Sequence, residues 1–129
     1  MSKNRRTALM LAGALLAAPL MLASVPSIAD DMMLLKGDQI KSTVSNMTVE
    51  GKMNDGMAYS EFYGADGTIK GKDYTGKWTI EGNEMCFVYG TDPKKSCYGI
   101  QKTADGIAWI EDGKSEGTGV VTQGNVRNY

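Results

Sequence analysis

Cys86 and Cys97 have the widest chemical range of any residues in this chain, and histidine is absent from all 129 positions. Thiols serve as nucleophiles, redox couples or metal ligands. Without an imidazole there is no serine–histidine or cysteine–histidine system, because the base that would take the proton is missing. A structural zinc site takes about four sulfur or nitrogen ligands, and two cysteines supply only half of them. Redox pairs are usually Cys-X-X-Cys at a helix start, where the N-terminal dipole lowers the thiol pKa. Here ten residues intervene and both cysteines lie in strand-like segments. A disulfide is what remains. Folding this segment as a hairpin about Asp92-Pro93 pairs position n with 183 − n and sets Cys86 opposite Cys97. Opposed residues on an antiparallel pair hold their Cβ atoms about 4.5–5.5 Å apart, near the range a disulfide requires. The closed loop contributes roughly 2.5–3 kcal/mol by the chain-entropy argument.

Other residue types offer less. Glu81 with Glu84, and Glu111 with Asp112, are the candidate carboxylate pairs, but each sits beside a turn where solvated acids are expected. A calcium loop needs oxygen ligands at positions one, three and five before a glycine at six. Aligning Gly67 or Gly113 at six puts Phe62 or Ala108 at one, so both loops fail. No phosphate-binding loop, nucleophile elbow or dinucleotide fingerprint is present. Methionine is the surplus, with Met32, Met33, Met47, Met53, Met57 and Met85 beyond residue 29. Thioethers favour Cu(I), and Met53 and Met57 flank a turn from which they would converge with Met85 or Trp78. The simpler reading is that methionine fills gaps in a small core, and no cofactor or metal is expected. Phe87 and Tyr89 lie on the strand face opposite Cys86 and Val88. They are expected to form an outward aromatic patch for a partner or an apolar ligand.

The elements that position these residues follow an export signal. Lys3, Arg5 and Arg6 precede an apolar run of sixteen residues, Ala8 to Ala23, and small residues lead to Ser27-Ile28-Ala29. This is the layout of a secretory signal peptide over residues 1–29, cleaved after Ala29. A spanning helix needs about 20 apolar residues, so no stable membrane insertion is expected after cleavage. Asn4-Arg5-Arg6-Thr7 touches on twin-arginine export, but Ala8 stands where a bulky apolar residue is usual. The expected location is the periplasm, where disulfides form.

Residues 30–129 are then a single domain. Removing the leader takes three of the fourteen basic residues and none of the fifteen acidic ones, leaving a net charge of −4. Lys94-Lys95 is the only adjacent basic pair left, so nucleic acid is not an expected partner. Asp38 as N-cap, with Ile40, Val44 and Met47 at helical spacing, predicts a short helix over about 38–46. Beyond it the apolar period is two, and turn signals recur every eight to twelve residues, among them Asp66-Gly67, Asp105-Gly106 and Asp112-Gly113. The segments between them read as strands: 57–63, 68–72, 76–80, 84–90, 96–102, 106–111 and 117–123, with 48–53 as a possible eighth. The predicted fold is mainly β, a seven- or eight-stranded antiparallel meander forming a small barrel or sandwich behind one N-terminal helix.

The order of these signals resembles a group of small exported alphaproteobacterial proteins classed under a domain of unknown function. The residues that carry the resemblance are "FYGADGTIKG" (62–71), "GKW" (76–78), "MCFVY" (85–89), "SCYGI" (96–100) and "GN" (124–125), behind the helix and link from Ile40 to Gly51. Val126 departs from the group's usual proline. The resemblance implies a periplasmic, disulfide-clamped, mostly-β domain and brings no activity or catalytic residue. The expected function is therefore that of a non-enzymatic binding or interaction protein for an envelope protein, a cell-wall component or a small apolar ligand. The alternative is a Cu(I)-binding protein using Met53, Met57 and Met85.

Overall fold

The structure, a computed structural model, describes residues 34–129. The signal segment 1–29, its cleavage after Ala29, and Met32 and Met33 lie outside the described residues. Helix α1 (Gly37–Val44) is followed by eight strands. They are β1 (Met47–Met53), β2 (Ala58–Tyr63), β3 (Thr68–Lys70), β4 (Thr75–Glu81), β5 (Glu84–Tyr89), β6 (Ser96–Lys102), β7 (Gly106–Glu111) and β8 (Lys114–Gln123). Each strand pairs antiparallel with the next, and β8 returns to β1 to close a barrel. Of the two predicted architectures, the barrel is the one formed. The segment 48–53 is a full strand, because it must bridge β2 and β8 from Met47↔Gln123 to Met53↔Gly117.

Local chemistry accounts for the short connections. Asp112 and Gly113 both have positive φ, at 49° and 74°, and join β7 to β8 through a two-residue turn. Such turns match the right-handed twist of the strands they connect. This turn chemistry lets β8 begin at Lys114, three residues earlier than the predicted segment.

The helix is shorter than expected and is not capped by Asp38, which sits inside its first turn. Lys36 is at the cap position and has no side-chain acceptor to offer. The free amides instead find partners at Gln39, whose Oε1 accepts from the Lys36 N–H at 2.8 Å, and at Asn83, whose Oδ1 accepts from Gly37 at 3.0 Å. The second bond ties the helix start to the β4–β5 turn. Asn46 takes φ 58° and ends the helical path, and its side chain accepts from the Ala65 N–H.

Helix α1 packs on β1, β4 and β5. Its contacts fall where β1 starts and where β4 turns into β5, and the antiparallel order puts those points at the same end of the barrel. Ile40 and Val44 are fully buried there, joining Val49, Ile69, Trp78, Met85, Ile100 and Ile107 in the core. Trp78 donates its indole N–H to the Gly64 carbonyl at 2.9 Å, satisfying its buried polar atom. The helix thus closes one end of the barrel, and a cavity opens at the other.

Cys86 and Cys97 are directly opposed across β5 and β6 and form a disulfide. The register Met85↔Tyr98, Cys86↔Cys97, Phe87↔Ser96 is the one expected from the turn at Asp92-Pro93. The facing of β5 differs from expectation. Met85 and Phe87 point into the barrel and are 0% and 4% exposed, so the disulfide lies on the outer side. Alternation defines two faces, and closure of the sheet decides which one is inside. Phe87 pairs with Trp78 across β4 and β5, and the barrel interior takes both of these large rings.

Candidate functional site

The inner face of β2 sets up the site. In AYSEFY the alternation sends Tyr59, Glu61 and Tyr63 to one side, and all three line a cavity of about 830 Å³. Met53, Met57, Asp73, Tyr74, Phe87, Tyr89, Ser96, Tyr98 and Trp109 also line it. These residues come from the strand ends and loops opposite helix α1. Met57, Tyr74 and Tyr89 are exposed and form the rim, while Tyr63, Phe87 and Trp109 are buried beneath them. Eight-stranded barrels are about wide enough to fill with side chains or to hold one small ligand. Here the helix end is filled and the far end is hollow.

Glu61 is 6% exposed and is surrounded by phenols. Its Oε2 accepts from the hydroxyls of Tyr63 at 2.6 Å and Tyr89 at 3.1 Å, and its Oε1 accepts from Tyr74 at 2.8 Å. These donors come from three different strands or loops, so the carboxylate ties together parts of the wall distant in sequence. Burial pushes the pKa of Tyr63, Tyr74 and Tyr89 up, and the charge of Glu61 pushes it further. All three therefore stay protonated and remain donors. Neither of the two ion pairs among the described residues, Lys95–Glu81 and Arg127–Glu50, involves Glu61.

A second polar chain supports the opposite wall. Trp109 donates its indole N–H to the Tyr59 hydroxyl at 2.7 Å, and that hydroxyl donates to the Thr118 carbonyl at 2.8 Å. Tyr59 reaches the backbone of β8 only because position 119 is glycine: a Cβ there would collide with the Tyr59 hydroxyl and with Val49. Burial pushes the Tyr59 hydroxyl up to about 12, against the lowering effect of the Trp109 hydrogen bond.

Phe87 is the hub of the aromatic lining. Its ring lies 5.5 Å from Trp109, edge to face, 6.0 Å from Tyr63 and 6.1 Å from Tyr98. The Tyr89 ring is parallel to it within 3° at 6.3 Å, and Tyr74 meets Tyr89 edge-on at 5.9 Å. Edge and offset contacts of this kind suit the ring quadrupoles and make the wall rigid.

The structure brings Phe87 and Tyr89 to one cavity, on the inside of the barrel and not on its outer surface. Of the methionines considered for Cu(I), Met53 and Met57 line the same cavity, while Met85 is fully buried in the core and does not. Glu81, Cys86 and Cys97 come together, but both sulfurs are in the disulfide and Glu81 is paired with Lys95. Glu81 and Glu84 face each other across the β4–β5 hairpin as exposed residues, away from the cavity. Sequence reasoning missed Glu61 and Tyr74. The signal for Glu61 was a lone acid sharing a strand face with Tyr59 and Tyr63, which is unusual for a solvated side. Tyr74 lies in a loop and carries no periodic signal.

No protein-family model, curated protein or solved structure matches this chain.

Proposed function

We propose that this protein is a non-enzymatic binding protein of the periplasm that takes a small, largely apolar molecule into the open end of its barrel. The observation that carries this reading is the cavity of about 830 Å³ lined by seven aromatic side chains. Small-molecule sites are typically clefts of about 300–1,000 Å³, mostly apolar, with a few convergent polar groups. The Glu61–tyrosine cluster supplies those polar groups. A rigid wall lowers the ordering cost of binding, since little has to be fixed when the ligand arrives. Phe87 is the floor contact and Tyr89 the rim contact of this site. The leader-like segment 1–29 and the disulfide support a periplasmic location, as does the resemblance to small exported proteins.

The reading is tested with N-phenyl-1-naphthylamine, a neutral probe that fluoresces in apolar surroundings. Saturable binding with energy transfer from tryptophan is expected, and it should be lost in Ser96→Trp. Ser96 lines the cavity beside Phe87, and an indole at that position fills the mouth. Probe binding that persists unchanged in a folded Ser96→Trp protein would place the probe elsewhere and overturn the assignment.

A further inference from the structure

We infer that the ligand is an organic cation, an ammonium group carried on an apolar body, with its charge held between Glu61 and the surrounding rings. This deepens the function proposed above and rests on it.

The first observation is charge. The cavity lining holds two carboxylates, Glu61 and Asp73, and no lysine or arginine. Glu61 is buried yet has no cationic partner among the described residues. A buried charge is costly unless paired, and here hydrogen bonds from three neutral phenols are what the protein itself provides. A ligand cation completes the pairing. An anionic ligand such as a fatty acid would bring a second negative charge against Glu61 with nothing to offset it.

The second observation is acceptor capacity. A carboxylate offers about four acceptor positions. Oε2 uses two, for Tyr63 and Tyr89, and Oε1 uses one, for Tyr74. One position on Oε1 is left for an N–H donor.

The third is the aromatic wall. A cation within about 6 Å of a ring centroid is attracted by the ring quadrupole, and aromatic cages are the recurring solution for quaternary ammonium groups. Phe87, Tyr89 and Trp109 present rings to this space. Tyr74 and Tyr89 have their hydroxyls bonded to Glu61. Rings and charge are therefore held in one fixed unit.

The test is displacement of N-phenyl-1-naphthylamine from the full protein by three one-ring compounds of similar size. These are 2-phenylethylammonium, its neutral carbon isostere propylbenzene, and phenylacetate. The cation is expected to bind at least about tenfold tighter than the neutral isostere, with phenylacetate weakest. In Glu61→Gln the ratio of cation to neutral affinity should fall towards one, with far-ultraviolet circular dichroism confirming an intact barrel. If that variant does not fold, the wild-type ratio decides. Equal binding of cation and neutral isostere overturns this inference while leaving the binding function standing. Failure of the probe and of every compound to bind overturns both.

Discussion

The Tyr63 hydroxyl donates to Glu61 Oε2 at 2.6 Å from two positions along the same strand, and both residues are almost fully buried. Residues i and i+2 of a strand share a face, so this pair is local in sequence, while Tyr74 and Tyr89 bring the distant strands to the same carboxylate. The cluster therefore acts as a polar fastening of the barrel as well as a candidate binding group.

Removing one arm of that fastening has a defined cost. Tyr63→Phe deletes a hydrogen bond to a charged group and is expected to destabilise by roughly 1.5–3 kcal/mol. Because Tyr63 and Glu61 share the interaction, the double variant Tyr63→Phe/Glu61→Gln should cost less than the two singles added together. Urea unfolding of the four proteins measures the coupling, and strict additivity would show that the hydrogen bond is energetically idle.

The disulfide gives a second prediction. Cys86 and Cys97 are eleven positions apart and directly opposed. Replacing both with alanine is expected to lower stability by about 2–3 kcal/mol, chiefly by freeing the unfolded chain. Since the bridge lies outside the cavity, the affinity for N-phenyl-1-naphthylamine should be unaffected in the variant at temperatures where it is folded. Intact mass should show no free thiol in protein recovered from the oxidising compartment.

Gly119 is the test of the Tyr59 wall. Alanine there places a methyl group against the Tyr59 hydroxyl and the Val49 side chain. Overpacking of this kind typically costs about 1–3 kcal/mol. Displacing Tyr59 also leaves the Trp109 N–H without its acceptor, so a shift in tryptophan emission should accompany the loss. Tyr59→Phe, which removes the acceptor without the clash, should reproduce the spectral shift.

These residues also show how far the sequence could be read. The β5–β6 register was legible because Asp92-Pro93 marks the turn and the two cysteines check it at symmetrical positions. The eighth strand was less so, since TVEGKM owes its place to pairing with β8, some seventy residues away (Val49↔Val121). Phe87 shows the limit of alternation. Its face was identified correctly as distinct from that of Cys86, but whether that face is inside depends on closure between the first and last strands. Glu61 was hidden for the same reason: an acid in a strand reads as solvated until the curvature of the sheet turns it inward. Tyr74 reaches Glu61 from a loop, and no periodic rule predicts such a contact.

The tyrosines give the protein an alkaline limit. The Tyr59 hydroxyl is pushed from its ordinary 10.0 up to about 12, first by burial, and Tyr63 is raised further by burial and by the Glu61 charge. A folded-state pKa above the unfolded one means that the folded form resists losing the proton, whereas the unfolded chain loses it near pH 10. The contribution to stability is therefore complete below about pH 10 and is lost as pH rises towards and through 12. The urea midpoint is expected to be flat from pH 7 to 9 and to fall between pH 10 and 12. Absorbance at about 295 nm should show the phenols of the cavity wall ionising together with unfolding, since burial raises all of them. In Tyr63→Phe the decline should be shallower, because one of the raised groups is gone. A midpoint that stays level to pH 12 would mean that these hydroxyls ionise as readily in the barrel as in the open chain.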